Sequence, residues 1–241
     1  MKKYMMLLFM ILSLSAFGQG SVKHLKPKMG EALIFDPKDE ELIKRRDDLY
    51  KLDKLTAAQE KELKALESKF PEQEGSIWDA LSMECSWYCG GGPRTITASS
   101  YLNSSGKINY LPENIHDLKY KTVWSEGVVG YGIGEYVDYH FDPASPRITQ
   151  IKIANGYVRS ERTWKENSRV KQLKMSVNGK PYAILELKDV RALQLFDIPP
   201  LGRNNGDKDW VIRFEIADVY KGDKYDDTVI SEIFFDGIDV H

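Results

Sequence analysis

The chain has 241 residues, with 34 Lys and Arg against 36 Asp and Glu and a formal net charge of -2. That length allows one good-sized core or two small ones. The balanced charge removes any electrostatic reason to expect nucleic acid or an anionic membrane as partner.

The first segment reads as an export signal. Lys2 and Lys3 precede the apolar run MMLLFMILSLSA, which is too short to span a bilayer comfortably. Ala16 and Gly18 supply small residues for a peptidase, so cleavage after Gly18 would leave Gln19 first. An uncleaved anchor helix is the competing reading, and the short run disfavours it. No Cys lies at the junction, which disfavours a lipoprotein. No second long apolar run follows. The mature chain is expected to lack an integral membrane segment and to be exported: periplasmic, on the cell surface or secreted. The expected division is 1–18 signal peptide, 19–75 lead-in and helical hairpin with linker, and 76–241 β-sandwich.

Ser21 to Phe35 reads as an extended lead-in. From Asp36 to Phe70 the chain turns rich in Glu, Lys, Leu and Ala. Leu42, Leu49 and Leu52 recur at helical spacing, as do Leu63, Leu66 and Phe70. Thr56 with Gln59 is a capping-box pattern that predicts a second helix from Ala57. The segment is expected to form a helical hairpin with narrow apolar stripes. Such helices need packing, either on the following domain or on a protein partner. Pro71 to Ser76 reads as a linker, and Gly90 to Pro93 breaks any helix after it.

The two cysteines, Cys85 and Cys89, sit in CSWYCGGGP. Export permits a disulfide between them. Zinc needs more ligands than this pair supplies, and the spacing is one residue longer than the usual redox motif. A local structural bridge is the expectation.

From Arg94 onwards the pattern is strands. Val137, Tyr139 and Phe141 alternate, as do Ile151 and Ile153, then Leu173, Met175 and Val177, then Leu185 and Leu187, then Leu193 and Leu195. Trp210 to Ile216 is the longest alternation, and Val229 to Phe235 closes the series. Turn signals separate them at Asp142-Pro143, Asn178-Gly179, Pro199-Pro200, Asn205-Gly206 and Lys221-Gly222-Asp223. Asn178-Gly179 is a strong hairpin signal. Successive strands without helices between them predict an antiparallel sandwich or jelly roll, each sheet having one face buried and one wet.

Catalytic signals are weak. The histidines form no H-E-x-x-H pair, and no G-x-S-x-G elbow occurs. The glycine-rich stretch Gly127 to Glu135 precedes a strand, which argues against phosphate cradling. Glu126, Glu135 and Asp138 permit a glycoside-hydrolase reading, but that chemistry needs two facing carboxyls at a defined separation. No catalytic residue and no metal site are assigned. A structural calcium at Asp223, Asp226 and Asp227 is disfavoured, because the spacing is not that of a calcium loop and Asp is a routine turn residue. No cofactor is expected.

The aromatics remain. Trp124 precedes the glycine stretch and Tyr131 lies within it. Tyr157 and Trp164 sit in a polar segment between two strands, with Arg159, Asn167 and Arg169. Aromatic rings cover the apolar faces of sugars, while Arg, Asn and carboxylates satisfy the hydroxyls. These residues are the expected ligand-binding set: Trp124, Tyr131, Tyr157, Arg159, Trp164, Asn167 and Arg169. Large aromatics usually bury most of their area, so Trp124 and Trp164 have a competing role as caps on the core. Asn167 has one too, holding backbone groups.

Five segments carry a resemblance. ASSYL from Ala98, NIHDLKYKTVWSEG and GYGIGEYVDYHF are similar to discoidin-like (coagulation factor type C) domains. ITQIKIANGYVRSERTWKENSRVKQLKMSVNG, with DVYKGDKYDDTVISEIFF near the end, resembles the NADase-type glycan-binding domain family. The likeness covers about Glu84 to Asp236 and is loose between Leu187 and Asp209. It implies a galactose-binding-like jelly-roll sandwich that binds glycans without chemistry. NADase activity in the named relative belongs to a separate catalytic domain, and nothing here matches one. The resulting expectation is a secreted, non-catalytic glycan-binding module. A structural or protein-interaction protein is the alternative, and a hydrolase a weaker one.

Overall fold

The computed structural model describes residues 22–33, 37–50, 52, 54–69, 87–105, 108–203 and 208–239. The expected signal peptide, the Pro71–Ser76 linker and Cys85 lie outside the described residues. Cys89 ends a short 3-10 turn, Trp87–Cys89, and is exposed; the expected bridge to Cys85 therefore lies outside them too.

The chain is mainly β. Short strands β1 (Lys23–Leu25) and β2 (Lys28–Ala32) come first, then helices α1 (Pro37–Tyr50) and α2 (Ala57–Lys69). There follow β3 (Thr95–Ala98), β4 (Trp124–Ser125), β5 (Tyr136–Phe141) and β6 (Ile148–Asn155). After α3 (Glu161–Glu166) come β7 (Ser168–Val177), β8 (Lys180–Glu186), β9 (Ala192–Leu201), β10 (Trp210–Tyr220) and β11 (Thr228–Gly237).

One layer runs β1-β8-β7-β10-β5-β3 and the other β2-β9-β6-β11-β4. Their neighbours are antiparallel except for β1 with β8. The layers join where β11 lies parallel to β7 for two residue pairs, Thr228 with Ser168 and Val229 with Arg169. The main core sits between them. Tyr139, Phe141, Leu173, Met175, Leu185, Ile212 and Phe214 come from the first layer, and Ile151, Ile153, Phe196, Ile233 and Phe235 from the second. Phe141 stacks on Trp210 with centroids 4.4 Å apart, and Phe235 packs edge-on against Tyr139 at 5.1 Å. Such pairs add to the area they bury. Asn178 (φ 48) and Gly179 (φ 75) make the expected two-residue hairpin turn between β7 and β8, with both residues left-handed.

Three sequence expectations change. Residues 22–33, grouped by the sequence with the helices, pair with the sandwich: β1 lies on the free edge of β8 and β2 on that of β9. The lead-in thus crosses from one layer to the other and covers two edges, which is how sheets avoid unpaired backbone. Pro199-Pro200, read as a turn, lies inside β9. There β2 has already ended and the β6 register shifts between Ile148 and Gln150, so the missing amide hydrogens break no ladder. The expectation of one wet face per sheet holds for β10 and fails for β11, whose residues from Thr228 to Phe235 are all buried. Leu193 follows from the same fact. It packs in a second cluster with Leu33, Leu118, Tyr120, Ala154, Val158 and Phe234, while Phe196 and Ile198 face the main core.

The two longer helices form a cluster of their own, Leu49 with Leu66, flanked by Leu42, Leu55 and Leu63. Arg45 holds Glu62 through two hydrogen bonds of 2.9 and 2.8 Å. The second helix starts at Ala57 with the Thr56 amide donating to Gln59 Oε1 at 2.9 Å and the Gln59 amide to Thr56 Oγ1 at 3.3 Å. That is a reciprocal cap.

Candidate ligand site at the loop end of the sandwich

Five loops gather at one end of the two layers. They lie where β3, β4, β6, β8 and β10 end and where β5, β7, β9 and β11 begin: residues 99–105 with 108–111, then 126–135, 156–167, 187–191 and 221–227. The 156–167 segment is not the plain polar loop the sequence implied. Ser160 caps α3, its hydroxyl accepting from the Thr163 amide while the Ser160 amide donates to Thr163 Oγ1, both at 3.1 Å. Gly156 (φ 82) leaves β6 in a conformation other residues resist, and a Cβ there would sit 2.7 Å from Arg169 and 2.9 Å from Trp164.

Much of the expected ligand set builds this scaffold. Trp124 is 1% exposed within the main core, and its Nε1 donates to the Ser100 carbonyl at 3.0 Å. Tyr157 is 7% exposed beside Val123 and Val229, with its hydroxyl donating to the Lys121 carbonyl at 3.2 Å. Rings so enclosed have no face to offer a sugar, so these two are corrected to core positions; flat, large side chains bury most area at the ends of a sandwich. Arg169 is buried, pairs with Asp189 at 2.7 and 3.1 Å, and donates to the carbonyls of Trp164 and Asn167 at 3.1 and 2.8 Å. A guanidinium with five fixed donors suits this stapling role. Asn167 ends α3, its side-chain amide donating to the Thr163 carbonyl at 2.8 Å. It is half-buried, so the cap is a role the structure adds to the expected contact. Trp164 is half-buried. Arg169 lies 4.5 Å over its ring and Nε1 donates to the Asn155 carbonyl at 3.0 Å.

Two expected residues face outwards. Arg159 is exposed. Tyr131 is half-buried on the glycine loop, with Lys221 Nζ 5.0 Å from its ring. This loop is well tied. The Gly127 amide donates to Ser100 Oγ at 3.0 Å, Gly134 to the Ile216 carbonyl at 2.8 Å, and Thr228 Oγ1 to the Tyr131 carbonyl at 2.9 Å. Val129 and Ile133 stand exposed upon it.

The sequence reading missed Tyr225 and Tyr110. Tyr225 is 40% exposed, with Lys224 Nζ 4.7 Å from its ring. The 221–227 loop that carries it is laced to α3, the Lys224 and Tyr225 amides donating to the Glu166 carbonyl at 3.1 and 2.8 Å. The Tyr110 hydroxyl is pushed up by burial first, and then by Tyr157, Asp227 and Tyr225 nearby. Burial also raises the Asp227 carboxyl, with Asp226 beside it. A signal existed in DKYDDT, where a Tyr sits among turn residues, but only its carboxylates drew notice.

Of the carboxylates in the hydrolase reading, Glu126 and Glu135 lie near each other, and burial raises the Glu126 carboxyl with the Glu135 charge adding to it. Glu126 is enclosed, accepting from the Thr228 amide at 3.1 Å and the Val128 amide at 2.9 Å. Glu135 accepts from Ser99 Oγ at 2.6 Å. Asp138 lies near the start of β5, paired with Arg213. Among the described residues no group of three His, Cys, Asp or Glu gathers as a metal site would require, the Asp223 to Asp227 run included. Another buried carboxyl lies under the 117–122 loop. Glu232 Oε1 accepts from the Lys119 amide at 2.8 Å, an amide that also donates to Asp117 Oδ1 at 3.1 Å. Burial, with Asp117 alongside, holds the Glu232 carboxyl well above the ordinary range.

Among the described residues no helix is long and apolar enough to cross a membrane. A family model described as NAD glycohydrolase translocation F5/8 type C domain matches residues 87–236. No curated protein matches the chain. Among solved structures, the chain is similar to the CBM32-1 and CBM32-2 domains of Clostridium perfringens ZmpB in complex with GalNAc, at 10% identity and a TM-score of 0.45, covering 86% of this chain and 53% of that one. A second structure of the CBM32-1 and CBM32-2 domains of that protein aligns at 12% identity and a TM-score of 0.46, with 86% and 55% covered. A Ruminococcus gnavus GH29 fucosidase in complex with fucose aligns at 13% identity and 0.34, covering 76% of this chain and 30% of that one. The chain thus spans about half the length of the first of these structures.

Proposed function

Since the chain belongs to the NAD glycohydrolase translocation F5/8 type C domain family, we propose that it is an exported, non-catalytic carbohydrate-binding module whose ligand sits on the loop end of the sandwich. The observation that carries this reading is the set of tyrosines left accessible there. Tyr101 and Tyr225 are exposed, Tyr110 and Tyr131 are half-buried, and Lys221 and Lys224 lie beside the Tyr131 and Tyr225 rings. Partly open rings on a rigid base cover sugar faces at little entropic cost, while the polar neighbours satisfy hydroxyls. Loops on a stiff sandwich are also where binding residues collect. Trp164, Arg169, Asn167 and Asn155 serve by fixing the loops.

A glycan array probed with residues 19–241 tests the proposal. Selective binding that falls at least tenfold in Tyr225→Ala and in Tyr131→Ala, with thermal melting unchanged, is the expected result. Silence across the array sinks it. Hydrolysis of any bound oligosaccharide would instead restore the enzyme reading.

A further inference from the structure

The outer face of the first layer carries a second concave surface. An open cavity of about 670 Å³ lies over β5, β10, β7 and β8, bounded by Val22 of the lead-in and by the Asn178-Gly179 turn. We propose that this cavity is a second saccharide site, taking a stretch of neutral oligosaccharide. The proposal rests on the carbohydrate reading above and extends it to a different face.

The lining selects the ligand class. Its charges cancel in pairs: Arg213 holds Asp138 through two bonds of 2.7 Å, and Lys174 holds Glu215 at 2.8 Å. A surface so compensated has no net field to draw a phosphate, a nucleic acid or an acidic peptide. Four charged groups also make it a poor seat for a purely apolar ligand. Extended peptides join sheets at free edges, through unpaired backbone groups. Here the floor is sheet interior, with β10 paired on both sides and β7 paired to β8, so recognition falls to side chains alone.

Those side chains suit a sugar. The Arg213 guanidinium lies 3.4 Å from the Tyr136 ring centre, which makes a flat, stacked plate locked by Asp138. Val211, Ile184 and Pro181 supply aliphatic surface for the C–H faces of a pyranose, and Ser176, Asn178 and His140 supply hydroxyl partners. Four strands at ordinary spacing give a floor about 14 Å wide, room for several rings. Along β10 the cavity runs from Val211 to Glu215, so its near edge lies five steps, about 17 Å, from Tyr220 at the loop end.

Nitrogen-15 chemical-shift mapping on residues 19–241 separates the two sites. The probes are neutral tetrasaccharides of glucose, mannose, xylose, galactose and N-acetylglucosamine. The expected result is that at least one moves the amides of 138–140, 174–179 and 211–215. Its affinity should drop at least tenfold in the Lys174→Ala, Glu215→Ala double variant, which removes an exposed pair and leaves melting unchanged. Shifts confined to 127–135, 156–167 and 221–227 would overturn this proposal and leave the loop-end reading intact. Shifts on the sheet face alone would uphold it and sink the other. A panel that moves no sheet-face amide overturns it.

Discussion

β10 and β11 are nearly equal in length and line the same core, yet they are buried differently. From Trp210 to Ile216, β10 alternates buried with half-buried residues, whereas β11 buries eight residues in succession. The inner faces are alike: Phe214 and Phe235 pack with ring centroids 6.5 Å apart. The outer faces differ because of what lies over them. Over β10 there is open surface with Arg213 and Glu215. Over β11 lie the 117–122 loop and Leu33, closing around Phe234 and Glu232. A strand's outer face is wet only where no distant segment returns to cover it.

The largest effect that tests this contrast is Phe234→Ala. Phe234 is on the outer side but 1% exposed. It should cost about 3–5 kcal/mol in chemical denaturation, as a core phenylalanine does. A cost below about 1 kcal/mol would mean the cover is loose.

The second test uses pH, because the covered region contains titrating groups. His116 is buried, with Nδ1 bonded to the Ile233 carbonyl at 2.8 Å, and burial lowers it to about 4. A depressed group stabilises the fold above its unfolded value of about 6.5 and loses that contribution as pH falls towards 4. Wild type should therefore gain about 3 kcal/mol over His116→Asn between pH 4 and 7. Glu232 acts in the opposite sense. Its carboxyl is raised, so its contribution is complete at low pH and is lost as pH rises above the usual carboxylate range. The melting temperature of wild type relative to Glu232→Gln should fall steadily from pH 5 to 8. A flat difference would show that the Glu232 carboxyl is solvated.

Leu33→Ala comes next. Leu33 is 3% exposed at the end of the lead-in and packs in the cluster over β11. A loss of about 2 kcal/mol or more is expected, although Leu33 lies outside the span matched by the family model. No loss would show that the lead-in merely rests on the sandwich.

The fold was legible where local chemistry decides it. The strands of the first layer alternate with period two, Asn178-Gly179 forces its turn, and Thr56 with Gln59 marks a helix start. It was illegible where remote segments decide. Nothing in Leu193 or Phe234 shows that a loop some hundred residues away will cover it, and Pro199-Pro200 reads as a break unless the edge of β9 is known to be unpaired there. The loop end failed for a related reason. Trp124 and Tyr157 are the residue types a sugar site needs and also those that close a core, and sequence alone ranks the two uses poorly. Tyr225 was passed over because a turn-rich run masks a single exposed ring.

Tyr157 and Tyr225 turn that ambiguity into a smaller measurement. Tyr157→Phe removes one hydrogen bond to the Lys121 carbonyl. It should cost about 1 kcal/mol of stability and leave glycan affinity unchanged.

The smallest expected effect is Glu215→Ala on the outer face of β10. Glu215 pairs with Lys174, and both side chains reach solvent, being 31% and 56% exposed. Water already screens such a pair and both ends pay entropy to meet, so its loss should change stability by less than about 0.5 kcal/mol. Set beside Phe234→Ala, this measures the covering of one strand against the bareness of the other. A cost near that of Phe234 would mean the face over β10 is closed in solution, and that something already fills the cavity beside Val22.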